Sequence, residues 1–480
     1  MKGRLLSPPA LIGASLVLFA ALLFTNDFLL FGATAVAAGL ILLPFSPLLT
    51  MAFYTCVLAF SVPINDIPLE VGDFRFYGSD FAVYLVGCVA AYWLWAASRQ
   101  KTQLIVESSR LDRLIITLVL LNVGWGVVEV ANGVYIYGLD LRDAIGDFRR
   151  IYVYMLAVLI PVGLPIRASL LRKMPYVFAV GGAGAILFGL NRMTTGVLYH
   201  SFTSHVDSPR ILGDNELVAL TFLLAYVVAL VAGKANPIKK LLAIPFGAAA
   251  VAFMLLSGWR YGIALAVGVA PMTLVVVGLM KNVKLGRLAL RAVPAAFVVV
   301  LGALIVFSVF EETVNYVWQM RRARQQMYQQ DARTAAYATA LNEYAQKPVI
   351  GTGLGHQLVY FAVTSSGEME SRQSTTHNIF IDVLYQTGAV GILLFLGLQA
   401  LLTWHFLKNA KKIDPKLRGI AAALFIGYAA TMGLFCTQPS HPAAVMSTYL
   451  TMGFLLRILR SSPQNSSNPV ILSPSPSLSS

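Results

Sequence analysis

Residues 347–402 read KPVIGTGLGHQLVYFAVTSSGEMESRQSTTHNIFIDVLYQTGAVGILLFLGLQALL. A glycine-rich turn, Lys347 to Gln357, is followed by a short link ending in His377-Asn378, and from Ile379 the chain becomes a long apolar run. Upstream, Glu311 to Gln346 is the longest polar segment in an otherwise oily sequence, and it carries Arg321, Arg322, Arg324 and Arg333. A basic helix, a glycine turn and a histidine therefore sit together at the mouth of a hydrophobic segment.

The whole chain has the character of that last segment. Of its 480 residues 57% are hydrophobic and only 12% charged, with mean hydropathy +0.71. A soluble domain is nearer half apolar and a quarter charged. Apolar runs close to the length of a bilayer span recur throughout, at 9–25, 28–45, 47–63, 80–97, 113–130, 151–165, 176–193, 216–233, 241–257, 262–280, 292–310, 379–407, 419–435 and 443–459. The expected fold is an all-α polytopic membrane protein of about 14 transmembrane helices with one large outer loop. Met1 to Thr25 has the charge pattern of a signal peptide but no clear cleavage site, and is expected as a retained first helix. The organisation expected is a helix bundle over 1–310, the outer loop over 311–378, C-terminal membrane helices over 379–460, and a Ser/Pro/Asn-rich disordered tail over 461–480.

Net charge is +14. The basic residues are scattered between spans rather than gathered on one soluble face, which argues against nucleic-acid binding. Lysine and arginine mix freely in the loops at 99–113, 167–173, 234–240, 281–291 and 408–418. The positive-inside rule makes that side cytoplasmic, with both termini inside. The opposite loops hold arginine almost to the exclusion of lysine, Lys347 being the exception. Guanidinium is a planar fork of donors that grips phosphate oxygens in pairs. Some of these arginines have carboxylates nearby in sequence, Asp140, Asp143, Asp147 and Glu343 among them, and ion pairing is the other reading. Cys56, Cys88 and Cys436 lie in or beside apolar runs without metal-ligand spacing, as buried free thiols do.

Four places carry possible chemistry. Arg260 in LLSGWRYGIALAVGV lies between two apolar runs, where a charge requires a polar cavity or a partner. Arg333 shares a helical face with Tyr337, Ala340 and Tyr344. Gly351, Gly353 and Gly355 suit either close approach of backbone N–H groups to an anion or a tight turn. That turn lacks the Lys and Ser/Thr of a nucleotide-binding loop, so no ATP site is expected. His377 stands where a helix enters the membrane and, as a neutral imidazole, could accept a proton from a sugar hydroxyl. No zinc-ligand spacing surrounds it.

These stretches resemble the O-antigen ligase and polymerase superfamily of bacterial envelopes. His377-Asn378, nine residues, then Gly388-Ala389-Val390-Gly391 is similar to that family's His-Asn and Gly-x-x-small pattern. Arg333 to Gly355 is similar to its large outer loop, Ser257-Gly258-Trp259-Arg260 to its serine-x-x-arginine at a helix end, and Arg210-Ile-Leu-Gly-Asp-Asn215 to its loop before a span. The likeness covers the second half of the chain. It departs from the family in its somewhat larger helix count and at Asp382, where a neutral or amide residue is expected. The resemblance implies a glycosyltransferase class C-like membrane fold and an inverting, metal-independent transfer with no cofactor. It implies an undecaprenyl-diphosphate-linked glycan as donor, a lipid or glycan as acceptor, membrane lipids around it, and a periplasmic site on the bacterial inner membrane. His377, Arg260 and Arg333 are the implied catalytic residues, with Arg210, Asn215, Gly353, Gly355 and Asn378 binding substrate. Asp382 is the next candidate for a base. Ligase and polymerase use one chemistry and are not separated by these residues. A lipid-linked-sugar flippase or transporter is the competing class, but transporters are commonly built from two related halves, and no such repeat is visible.

Overall fold

The computed structural model describes residues 69–71, 74–76, 110–163, 166, 168–195, 211–233, 235–257, 260–281, 332–363, 369–376, 378–435 and 442–461, with isolated positions between 308 and 319. The expected spans at 9–25, 28–45, 47–63 and 80–97 lie outside these residues, as do 292–310 apart from residue 308 and the tail beyond 461.

Two strands, β1 (Leu69–Val71) and β2 (Phe74–Phe76), pair as a small antiparallel ribbon. The helices α1 (Arg110–Ala131), α2 (Leu141–Ile151), α3 (Leu159–Gly163), α4 (Ala168–Leu171), α5 (Met174–Thr195), α6 (Asp214–Val231), α7 (Pro237–Leu256), α8 (Arg260–Lys281) and α9 (Ala332–Gln346) follow. A second hairpin, β3 (Leu358–Val363) with β4 (Met369–Ser374), precedes α10 (Ile379–Asn409), α11 (Arg418–Phe435) and α12 (Pro442–Arg460).

Eight of the expected spans appear as long helices with ends within a few residues of those read from the sequence. Local signals account for the ends. Asn236 caps α7 by accepting from Ile238 N at 2.9 Å, with Pro237 in the first turn, where its missing N–H costs nothing. Asn378 caps α10 by accepting from Phe380 N and Ile381 N. The run at 151–165 does not form a span. It is a 3-10 turn over Val153–Val158 and then the short α3, and neither is long enough to cross a bilayer. Those turns are buried against α12 instead. The link before His377 is also not irregular: Leu358–Val363 alternates Leu358 and Tyr360 inward with Val359 and Phe361 outward, the period of a half-buried strand. The expectation of an all-α chain is thus modified by two small hairpins.

Among the described residues, the helical stretches Arg110–Ile136, Ala168–Thr195, Pro237–Leu256, Tyr261–Lys281 and Ile379–Lys412 are long and apolar enough to cross a membrane. Leu120 and Val128 on α1, Leu241 and Leu242 on α7, and Leu393 and Trp404 on α10 are exposed, which suits a lipid environment and not water. The chain is a multi-pass membrane protein. α6 packs among α5, α7, α8 and α11 and is buried along most of its length. Lipid tails are as apolar as leucine, so close packing rather than transfer from water must hold such helices together. Small residues permit it: a Cβ on Gly182 would meet Leu223 at 2.3 Å, and one on Gly427 would meet Phe222 at 2.0 Å.

α1 and α10 lie side by side and carry the site. At one end Asp112 joins them to α12: His405 Nε2 is 3.2 Å from Asp112 Oδ1 and Arg460 Nε donates to Oδ2 at 2.9 Å. Farther along, Asn122 Nδ2 donates to the Leu394 carbonyl at 3.1 Å. α10 has 31 residues. At about 1.5 Å per residue it is about 46 Å long, well over the ~30 Å of a bilayer core. It is interrupted at Gly388 (φ 64°, ψ −167°). The part from Ala389 to Lys408 is already about 30 Å long, enough to span, so the part from Ile379 to Thr387 is free to build something else.

Candidate functional site

That other structure starts at the break. An interrupted helix leaves carbonyls and N–H groups without partners, and near a membrane these must be met by other protein groups. The turn from Pro348 to Gly355 meets them. Thr352 N donates to Tyr385 O and Gly353 N to Gln386 O, both at 2.9 Å. In return Ala389 N donates to Pro348 O at 2.8 Å and Val390 N to Val349 O at 3.4 Å. The third freed carbonyl, on Thr387, accepts from Trp125 Nε1 of α1 at 3.3 Å. The glycine turn is a clasp, hydrogen-bonded into the gap in α10 much as a strand is into a sheet.

The glycines are there because backbone meets backbone. A Cβ on Gly351 (φ 68°) would lie 2.5 Å from Gln386 C and O. One on Gly353 (φ 84°) would lie 2.4 Å from Gly133 Cα, and one on Gly355 (φ 92°) 2.6 Å from Ala144 N. The clasp thus touches α10, the π-helical turn Asn132–Ile136 after α1, and α2 at once. Its N–H groups are spent inside the protein: Leu354 N on Glu129 O at 3.2 Å, and Gly355 N on Asp147 Oδ2 at 3.3 Å. Of the two readings open for this turn, the geometry is that of the tight turn. Gly353 and Gly355 present no unengaged backbone donor to an anion.

A polar network surrounds the clasp. Gln386 Nε2 donates to Asp147 Oδ2 at 2.9 Å and to the His356 carbonyl at 3.1 Å, and Tyr385 OH donates to the same carbonyl at 3.0 Å. Arg150 Nη2 pairs with Asp147 Oδ1 at 2.6 Å, and His356 Nε2 with Glu343 Oε2 at 2.8 Å. Ion pairing therefore accounts for Arg150, and Arg192, which lies 3.4 Å from Glu216 and donates to Ile211 O, also has a carboxylate partner. Glu129 is fully buried beside the clasp and accepts from Asn132 Nδ2 at 2.9 Å.

Near the N-terminus of α10, Asp382 is buried. Its Oδ1 accepts from Thr376 N at 2.9 Å and from Thr376 Oγ1 at 2.7 Å. Thr376 Oγ1 in turn accepts from Asn378 N at 3.2 Å. α9 leads straight into the clasp, and packs through Ala336 and Ala340 in a cluster with Leu358, Tyr360 and Tyr385. Arg333 is exposed in the first turn of α9. One unit thus contains α9, the clasp, the hairpin and the start of α10.

The other expected site residues are placed less fully. His377 and Arg210 lie outside the described residues. Arg260 is the first residue of α8 and Asn215 the second of α6, while their side chains lie outside what is described. Asn378 is placed as the helix cap of α10. The residues that sequence reasoning missed as site members are Glu129, Asp147, Gln386 and Thr376. A polar residue inside an apolar run is the signal that marks Glu129 and Gln386. Asp147 and Thr376 carry no such mark.

Comparison with known proteins adds one finding. Residues 245–396 match the family model described as O-antigen ligase, a stretch from α7 through the clasp to Leu396 beyond the break. No curated protein matches the chain.

Proposed function

We propose that this member of the O-antigen ligase and polymerase superfamily moves a polysaccharide from an undecaprenyl-diphosphate carrier to an acceptor hydroxyl on the periplasmic face of the bacterial inner membrane. The observation that carries this reading is the clasp. It ties α9, which bears Arg333, to the helix that Asn378 caps, and the clasp lies in the segment that matches the ligase family. A site for a lipid-linked donor must lie at the membrane boundary, and the break in α10 stands about one bilayer thickness from Lys408.

In this reaction the bond between the sugar's anomeric carbon and the diphosphate oxygen breaks as the acceptor oxygen bonds to the same carbon. Negative charge gathers on the departing diphosphate. Arg260 and Arg333, with Arg210 beside the donor, supply guanidinium donors where that charge develops. His377 accepts the hydroxyl proton from the opposite side, which inverts the anomeric centre. Asn215 and Asn378 belong to the donor's surroundings in this reading, and no cofactor is called on. The lysine distribution sets the termini in the cytoplasm and 311–378 outside.

The test is single-turnover transfer in liposomes with purified lipid-linked donor, with donor binding measured separately. His377→Ala is expected to lower the rate by about 10²–10⁴-fold with donor binding retained. Loss of binding with a normal saturated rate makes the histidine a diphosphate ligand instead. Full activity of His377→Ala refutes the reading. In a deletion strain, polymer left on its lipid carrier identifies a ligase; single repeat units on the acceptor identify a polymerase of the same chemistry. Lipid-linked sugar retained on the inner leaflet and missing from the outer one identifies a flippase.

A further inference from the structure

Asp382 is a costly residue for its place. It is 2% exposed, and a carboxylate so buried is destabilising unless bound to donors. The helix does not need it as a cap, because Asn378 already accepts from Phe380 N and Ile381 N. What Asp382 holds is Thr376, by its N–H at 2.9 Å and its hydroxyl at 2.7 Å, both on Oδ1. A hydroxyl has one proton. The shorter, charge-assisted contact with the carboxylate takes it in preference to the Asn378 carbonyl at 3.0 Å. That leaves the Thr376 oxygen to accept from Asn378 N. Residues 376 and 378 are thereby tied to one buried carboxylate, the first directly and the second through the hydroxyl. Arg150 and Asp147 are the charged neighbours that act on Asp382, and they belong to the network that Gln386 and Gly355 N anchor to the clasp.

We infer that Asp382 is a positioning residue for the transfer reaction, holding Thr376 and Asn378, the residues on either side of the proposed base, in place at the start of α10. The inference rests on the glycosyl-transfer reading above. It also removes Asp382 as an alternative base, since a carboxylate closed off by Thr376 and by the protein around it does not reach an acceptor. Asp382 acts through its neighbour alone.

The full-length protein in liposomes, with purified lipid-linked donor, tests this. Asp382→Ala is expected to lower the saturated single-turnover rate by about 10–100-fold, part of the histidine's own contribution, with donor affinity unchanged. Asp382→Asn keeps an oxygen that accepts from Thr376 and is expected to recover most of the rate. Thr376→Val, which loses the hydroxyl but keeps the N–H, is expected to fall between. In a His377→Ala background, Asp382→Ala is expected to cost nothing further, because residues acting through one group are not additive. Three results overturn the inference: Asp382→Asn as slow as Asp382→Ala, a further loss in the double variant, or an undiminished rate in Asp382→Ala. If Asp382→Ala fails to accumulate in the membrane, Thr376→Val alone and in the His377→Ala background makes the same comparison. A fully active His377→Ala refutes the transfer reading itself, whereas an inactive His377→Ala beside an active Asp382→Ala refutes only the positioning role.

Discussion

Gly388→Ala tests the clasp most directly. Gly388 has φ 64° and ψ −167°, a region that is essentially glycine's alone, and an alanine held there costs about 1–3 kcal/mol. Its Cβ would also sit 2.2 Å from Val349 O, 2.4 Å from Val349 C and 2.6 Å from Ile350 N. These are backbone atoms and cannot swing aside as a flexible side chain could. Relief requires the turn to leave the gap. That breaks four hydrogen bonds, from Thr352, Gly353, Ala389 and Val390, each with a net contribution of about 0.5–1.5 kcal/mol. Release of the turn therefore costs about 2–6 kcal/mol. The variant is expected to insert in the membrane, to unfold at lower temperature in detergent, and to expose the 347–355 turn to protease. Gly397→Ala, in the same helix but with nothing within 4 Å of the added carbon, is the control and is expected to be neutral or slightly stabilising. Equal thermal stability and equal protease resistance of Gly388→Ala and the unaltered protein would falsify the clasp.

Other expectations follow from the remaining contacts and charges. Arg260→Lys and Arg333→Lys are each expected to lose most of the transfer rate, because a point charge does not reproduce a planar fork of donors; near-normal rates in both would exclude a guanidinium grip on the diphosphate. A single cysteine at Gln329 is expected to react with impermeant reagent from the periplasmic side, and reaction from the cytoplasmic side alone would invert the topology. Asp112→Ala leaves Arg460 and His405 without their shared buried carboxylate and is expected to lower stability by about 3 kcal/mol in detergent unfolding, with transfer per folded molecule unchanged. An unaltered melting temperature there would mean that the three helices are held by packing alone.

The sequence by itself determined the long helices, and with them the class of the protein. An apolar run of bilayer length, closed by Asn236-Pro237 or Asn378, is a local property, and the backbone has no other way to satisfy its hydrogen bonds in lipid. The resemblance to the O-antigen ligase family could also be read there, because His377-Asn378 and the glycines at 388 and 391 are spaced along one chain segment. Only the tertiary structure decided what the glycines are for. GTGLG could serve an anion or a turn, and the choice depends on atoms of Gly133, Ala144 and Gln386, which no spacing within the turn can report. The strand over Leu358–Val363 escaped for a related reason: LVYFAV is apolar at every position, and its two faces differ only in what covers them once the strand is paired and packed. Asp382 shows the same division. Its place in an apolar run was visible as an anomaly, yet its role rests on two donors that reach it only after the chain turns back at Thr376 into α10. Periodicity records which faces of an element are apolar, whereas a buried polar contact records where two elements meet, and the fold alone sets that meeting.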